Sequence, residues 1–123
     1  MARILLIDDS PLQLLGMSRI LQALGHEVSS RTGPQESVLV SSPEAIDLVL
    51  IELLMRTGNG FETALQLREA GYSRVLLLTG VYRETDEIWA QSLGICGVIT
   101  RPLPREQLQE RIEMSLRQSA SGQ

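Results

Sequence analysis

Four short stretches of the chain are dominated by consecutive apolar residues: RILLI at 3–7, DLVLIE at 47–52, RVLLLT at 74–79 and CGVIT at 96–100. A strand with one wet face alternates apolar and polar residues. Unbroken runs of this length instead predict strands covered on both faces, as in a parallel sheet. HEVSSR at 26–31 reads as a weaker fifth strand. Between the runs, apolar residues recur at helical spacing. Ser10-Pro11 supplies an N-cap and a first helical position, with Gln13 placed for a capping box. Leu14, Met17, Leu21 and Leu24 then form one stripe, and Gly25 ends it. A second, less regular helix is expected from about Pro34 to Ser41. The third starts near Gly60, uses Phe61, Ala64, Leu65 and Leu67, and stops at Gly71. The fourth spans about Glu84 to Leu93 with Gly94 as its stop, and the fifth begins at Pro104 and carries Leu108, Ile112 and Leu116.

The order βαβαβαβαβα with short connections predicts an α/β fold: a doubly wound, five-stranded parallel sheet with helices on both faces, a three-layer αβα sandwich of the flavodoxin kind. Residues 1–118 read as a single domain and 119–123 as a frayed polar tail. No repeat, linker or second domain is expected.

With 123 residues and 43% apolar content, the chain is large enough for one aliphatic core; aromatics are only Phe61, Tyr72, Tyr82 and Trp89. Its net charge of −4 gives no basic excess for a phosphate backbone, so nucleic-acid binding is not expected. The lone Cys96 excludes an internal disulfide and reads as a buried, inert thiol. The opening apolar run is too short for a signal peptide and none approaches transmembrane length, so a cytoplasmic protein without membrane contact is expected.

In doubly wound sheets, ligands sit outside the carboxyl ends of the strands. The strand ends here are Asp8-Asp9, Glu52, Thr79-Gly80 and Thr100-Arg101-Pro102. Three carboxylates, a hydroxyl and a guanidinium are therefore expected to face one crevice. A lone buried carboxylate is costly, so Glu52 needs a partner. Either a divalent cation or Arg101 would supply the charge, and a sparse set of hard oxygens suits Mg²⁺.

Together, ILLIDDSP, DLVLIELLMRTGNGFE, VLLLTG and VITRPL resemble the response-regulator receiver domain, the CheY-like fold of two-component signalling, over about residues 3–117. MARILLIDDSP and RETDEIWAQSLG are similar to the small stand-alone, PilH-like receivers of twitching-motility and chemosensory systems. The resemblance implies that the acid ending the third strand accepts a phosphoryl group from a histidine kinase. It makes Asp8 and Asp9 the acidic pocket, and Asp9, Glu52 and the backbone carbonyl of Leu54 the Mg²⁺ ligands. Thr79 and Arg101 become the phosphate-contact equivalents, and the peptide before Pro102 a candidate cis bond.

Three positions depart from the family pattern. Glu52 stands where the phospho-accepting aspartate belongs, Arg101 where the family has lysine, and Val98 where it often has an aromatic switch residue. Arg56 also replaces a common proline. The added methylene moves the attacking oxygen by about 1 Å, and a misplacement of that size costs on the order of a hundredfold in rate. The same reach suits a permanent ion pair, in which Arg101 meets Glu52 with a planar fork and Thr79 donates to it.

The expected function is thus an atypical, non-enzymatic receiver that works as a phosphorylation-independent protein-interaction module. The alternative is a working response regulator with Mg²⁺-dependent phosphotransfer from a histidine kinase. No cofactor is required on the first reading, and any Mg²⁺ binding is expected to be weak or absent. Partners are a histidine kinase or a motility or chemosensory component. In the family the usual contact surface joins the fourth helix, fifth strand and fifth helix, which makes Ile88, Trp89, Val98 and Arg105 interface candidates and leaves homodimerisation open. For Trp89, filling a helix–sheet gap is the first reading and interface the second.

Overall fold

In the computed structural model, residues 1–33, 42–56 and 58–118 are described. Five parallel strands form one sheet: β1 (Arg3–Ile7), β2 (Glu27–Arg31), β3 (Leu48–Glu52), β4 (Val75–Thr79) and β5 (Gly97–Thr100), in the order β2-β1-β3-β4-β5. Each strand ends at the residue expected and starts no more than one residue late. The helices are α1 (Pro11–Ala23), α2 (Gly60–Glu69), α3 (Glu84–Ser92) and α4 (Arg105–Arg117). The expected helix from Pro34 to Ser41 and the tail 119–123 lie outside the described residues.

Strand parity decides which side chain meets which layer. Leu5, Ile7, Val49, Ile51, Val75, Leu77 and Val98 pack on one side with Ala64 and Leu67 of α2 and Ala90 of α3. Ile4, Leu6, Leu48, Leu50, Leu76, Leu78 and Ile99 pack on the other with Leu14 and Leu21 of α1 and Leu108 and Ile112 of α4. Both faces of β3 and β4 and nearly all of β1 and β5 are dry, which is why these strands read as apolar runs, while the edge strand β2 is largely exposed.

Two expected surface assignments change here. Val98 is only 3% exposed and lies inside the α2/α3-side core, so its side chain is no interface residue. Trp89 is 59% exposed, so it does not fill a helix–sheet gap. Among the candidates, Ile88 and Arg105 are exposed as the interface reading required.

The caps match the sequence with one exception. The Ser10 side chain accepts from the Gln13 amide at 3.3 Å. The reciprocal half of the capping box is not made: the Ser10 amide donates to Asp8 Oδ1 at 2.9 Å, and the Gln13 carboxamide turns to Arg101. Gly25, Gly71 and Gly94, the marked helix stops, all take positive φ. Cys96 is half-buried, and burial pushes its thiol above the usual range.

Order along the sheet fixes where a site can form. The chain runs from β1 out to β2, then crosses back over β1 to β3. The crossover direction therefore reverses between β1 and β3, and the crevice opens at their carboxyl ends. The residues delivered there are Asp8, Asp9 and Glu52.

Candidate functional site

Glu52 ends β3, opposite Leu78 of β4, and is 3% exposed. Its placement depends on the glycine that opens α2. A Cβ on Gly60 would sit 2.6 Å from the Glu52 carbonyl oxygen and 2.8 Å from Leu53 Cα. Only glycine lets the helix start so close to the strand end. The Gly60 amide donates to the Leu53 carbonyl at 2.8 Å, and the Asn59 side chain caps α2 by accepting from the amides of Phe61 and Glu62. The GNGF segment thus locks the turn that follows Glu52.

By parity Glu52 points with Leu48 and Leu50 toward the α1/α4 layer. Arg101, two residues past Ile99, reaches it from the end of β5. The two form an ion pair through Arg101 Nη2 and Glu52 Oε1. The other carboxylate oxygen, Oε2, accepts from the Leu54 amide at 3.2 Å. The Arg101 fork is not bidentate on Glu52: the same Nη2 also donates to Gln13 Oε1 of α1 at 3.3 Å. The Arg101 amide donates to the Thr79 carbonyl at 2.8 Å, and the Arg101–Pro102 peptide is cis, as the family resemblance implied.

Asp8 is buried on the same side. Burial pushes its carboxyl above the ordinary range; the Ser10 amide opposes this, the Glu52 charge adds to it, Arg101 lowers it, and Asp9 raises it further. Asp9 reaches outward, where Oδ2 accepts from the Arg56 amide at 2.6 Å. So Asp8, Glu52 and Arg101 do converge, with Asp9 at their edge.

Thr79 does not join them through its side chain. By parity with Val75 and Leu77 it faces the α2/α3 layer, and its Oγ1 donates to the Val81 carbonyl and accepts from the Val81 amide, both at 3.2 Å. The expected donation from Thr79 to Glu52 is replaced by this local turn. Gln13, which the sequence suggested only as a cap residue, is the site residue that sequence reasoning missed. Its signal was its place one turn into α1, the helix that overhangs the crevice.

The donor set fits a divalent cation poorly. Both Glu52 oxygens are engaged, one oxygen each of Asp8 and Asp9 is already hydrogen-bonded, and no three His, Cys, Asp or Glu side chains come together among the described residues. One oxygen of Asp8 and one of Asp9 have no partner there. Chemically, the crevice is an acidic pocket partly neutralised by the Arg101 guanidinium.

Comparison with known proteins agrees with this architecture. The response regulator receiver domain family matches residues 4–113. Protein PilH of Pseudomonas aeruginosa is 32% identical over 119 residues, covering 94% of this chain and 98% of that protein. The transcriptional regulatory protein CpxR homolog of Haemophilus influenzae is 30% identical over 121 residues, and the chain spans only 53% of its length. Among solved structures, the non-phosphorylated HemR receiver domain of Leptospira biflexa superposes with a TM-score of 0.84 at 23% identity, covering 97% of each chain. Chemotaxis protein CheY4 of Vibrio cholerae gives 0.84 at 23% identity, covering 94% of this chain and 98% of its own. These two likenesses speak to the fold.

Proposed function

Since the chain belongs to the response regulator receiver domain family of two-component signalling, we propose that it is a receiver whose phosphorylation site has been replaced by a fixed ion pair, and that it acts as a phosphorylation-independent interaction module. Receiver domains are signalling modules that work through other signalling proteins. The likeness to PilH supports a partner of that kind, a histidine kinase or a motility or chemosensory component.

One observation carries the reading: the acid at the end of β3 is a buried glutamate with both carboxylate oxygens occupied, one by Arg101 and one by the Leu54 amide. An in-line attack needs an oxygen free to face the phosphorus and a metal to gather the charge. Here the nucleophile's charge is already compensated, and the longer side chain fills space a phosphoryl group requires. One oxygen each of Asp8 and Asp9 is left without a partner among the described residues, which supports weak Mg²⁺ binding at most.

The test is incubation of the full chain with acetyl phosphate and Mg²⁺, followed by intact-mass spectrometry, and in parallel with a beryllofluoride reagent. No adduct is expected. An increment of about 80 Da mapped to Glu52 would overturn the proposal and return the protein to Mg²⁺-dependent phosphotransfer.

A further inference from the structure

We propose that the cleft between α2 and α3 docks an arginine-bearing amphipathic segment of a partner protein, with Trp89 as the stacking platform. The cleft is open and has a volume of about 380 Å³. Phe61 and Leu65 of α2 and Leu93, which caps α3, give it apolar walls, and Glu62 and Asp86 stand at its edges. Asp86, Trp89 and Leu93 follow one another at i, i+3 and i+7, so they share one stripe of α3. This stripe turns Trp89 toward α2 and away from the α3–β5–α4 surface that the family resemblance suggested for it. That surface has its own cleft, lined by other residues such as Glu87 and Arg111.

Two features of the cleft select the occupant. First, the indole lies 59% exposed beside aliphatic and aromatic walls, an arrangement typical of an unfilled anchor position. Second, its charge has one sign. Neither the Glu62 nor the Asp86 side chain has a hydrogen-bond or ion-pair partner among the described residues. Helix α3 also carries Glu84 and Glu87 and no Lys or Arg. The one guanidinium of α2, Arg68, is turned away and donates to the carbonyls of Ser73 and Gly94. Arg83 precedes α3 and does not line the cleft.

Arginine meets both demands at once. Its planar head stacks on an indole and forks onto a carboxylate, while its methylene stem lies against Phe61 or Leu65. Lysine offers the charge and the stem but no plane. Leucines of the same segment would fill the remaining apolar wall. None of the cleft residues bonds to Glu52 or Arg101, so the inference stands whether or not Glu52 accepts a phosphoryl group.

Trp89 is the only tryptophan of the chain, so its emission reports the cleft directly. The probe is a synthetic 14-residue helical peptide of leucine, alanine and arginine, with a matched peptide carrying lysine for arginine. A saturable change in Trp89 emission is expected, with the arginine peptide binding about threefold to fivefold tighter than the lysine peptide. Glu62→Gln with Asp86→Asn is expected to weaken binding by about tenfold. Glu69→Gln with Glu110→Gln, at exposed acids outside the cleft, is expected to leave it unchanged. Equal losses in the two double variants would mean general attraction to an acidic surface and would overturn the proposal, as would no emission change with either peptide. Sedimentation supplies the remaining arm: self-association that buries Trp89 without peptide would make a second copy the occupant and likewise overturn it.

Discussion

Among the described residues, each end of the parallel sheet carries one arginine–carboxylate pair, and the two are built in opposite ways. At the amino end, Arg3 and Asp47 join the starts of β1 and β3. Asp47 Oδ2 accepts from the Arg3 amide at 2.7 Å and from Nε at 3.2 Å, and Oδ1 accepts from Nη2 at 2.9 Å. That is a full fork plus a backbone bond, but the side chains are 48% and 32% exposed. At the carboxyl end, Arg101 and Glu52 are 23% and 4% exposed, yet they meet through one nitrogen that is shared with Gln13. The better geometry is in water and the poorer one is buried. A buried pair recovers its desolvation cost only with good geometry and further hydrogen bonds. Stability alone therefore does not account for the carboxyl-end pair. What distinguishes Glu52 and Arg101 is their position, at the switch point where this fold places its chemistry.

The strongest way to break that contrast is to remove one partner at each end. Arg101→Met leaves Glu52 buried with no counter-charge. A fully buried orphan costs about 3–5 kcal/mol. Arg101 keeps 23% of its side chain exposed, so a loss of about 2–3 kcal/mol is expected, or about 10 °C in Tm at neutral pH. Adding Glu52→Gln to Arg101→Met is expected to restore most of the loss, because no unpaired charge then remains. Thermal melts of the two single variants and the double variant close the cycle. A double variant as unstable as Arg101→Met alone would mean that lost packing, not the orphaned charge, sets the effect.

Strand parity explains why so much of this site was legible in the sequence. In β3, Leu48, Leu50 and Glu52 share a face, and Asp8 follows Ile4 and Leu6 onto the same side. Counting by twos from the core therefore brings Asp8 and Glu52 together, and Arg101 continues from Ile99. The same count sends Thr79 to the other face with Val75 and Leu77, where its hydroxyl closes a turn on Val81. It also puts Val98 in the core, out of reach of any interface. The Thr79–Glu52 hydrogen bond and the Val98 surface position were both expected without counting parity. Trp89 is different. A helical stripe says which residues share a face but not which neighbour covers that face, so its exposure depended on how far α2 and α3 part. Gln13 was misread because two roles compete at a helix's first turn, and the guanidinium outcompeted the Ser10 amide once Asp8 had taken that amide.

A smaller effect is expected at the amino end. Asp47→Asn keeps an acceptor for the Arg3 amide and removes the charge, and exposed pairs of this kind contribute little. A loss of about 2–4 °C in Tm at neutral pH is expected, several-fold below that of Arg101→Met. The pH dependence follows from the carboxyl's environment. The hydrogen bond from the Arg3 guanidinium holds Asp47 below the ordinary carboxylate range, with burial opposing it. Its contribution is present above the unfolded value, near about 4, and is lost as pH falls through the lower folded value. The difference between parent and variant should therefore close on acidification, and high salt should shrink it at neutral pH. An Asp47→Asn loss matching that of Arg101→Met would erase the distinction between the two ends.

Asp8 gives the smallest effect and the opposite sign. Burial raises its carboxyl above the ordinary range, and the Glu52 charge adds to this. The folded state therefore holds the proton more tightly than the unfolded state. Relative to the unfolded chain, this group favours folding when protonated, and a penalty grows as pH rises from the ordinary carboxylate range through the raised folded value. Asp8→Asn removes the charge and keeps an oxygen for the Ser10 amide, so Tm at neutral pH should rise by about 1–3 °C. That gain should fade as pH falls through the raised folded value, at higher pH than the window where the Asp47→Asn deficit closes. Mg²⁺ sharpens the comparison: a cation held by Asp8 and Asp9 would stabilise the parent in proportion to its occupancy. Millimolar Mg²⁺ is expected to close little of the gap between parent and variant. If it closes the gap entirely, a cation is bound firmly in the crevice, and the guanidinium of Arg101 has not displaced it from that role.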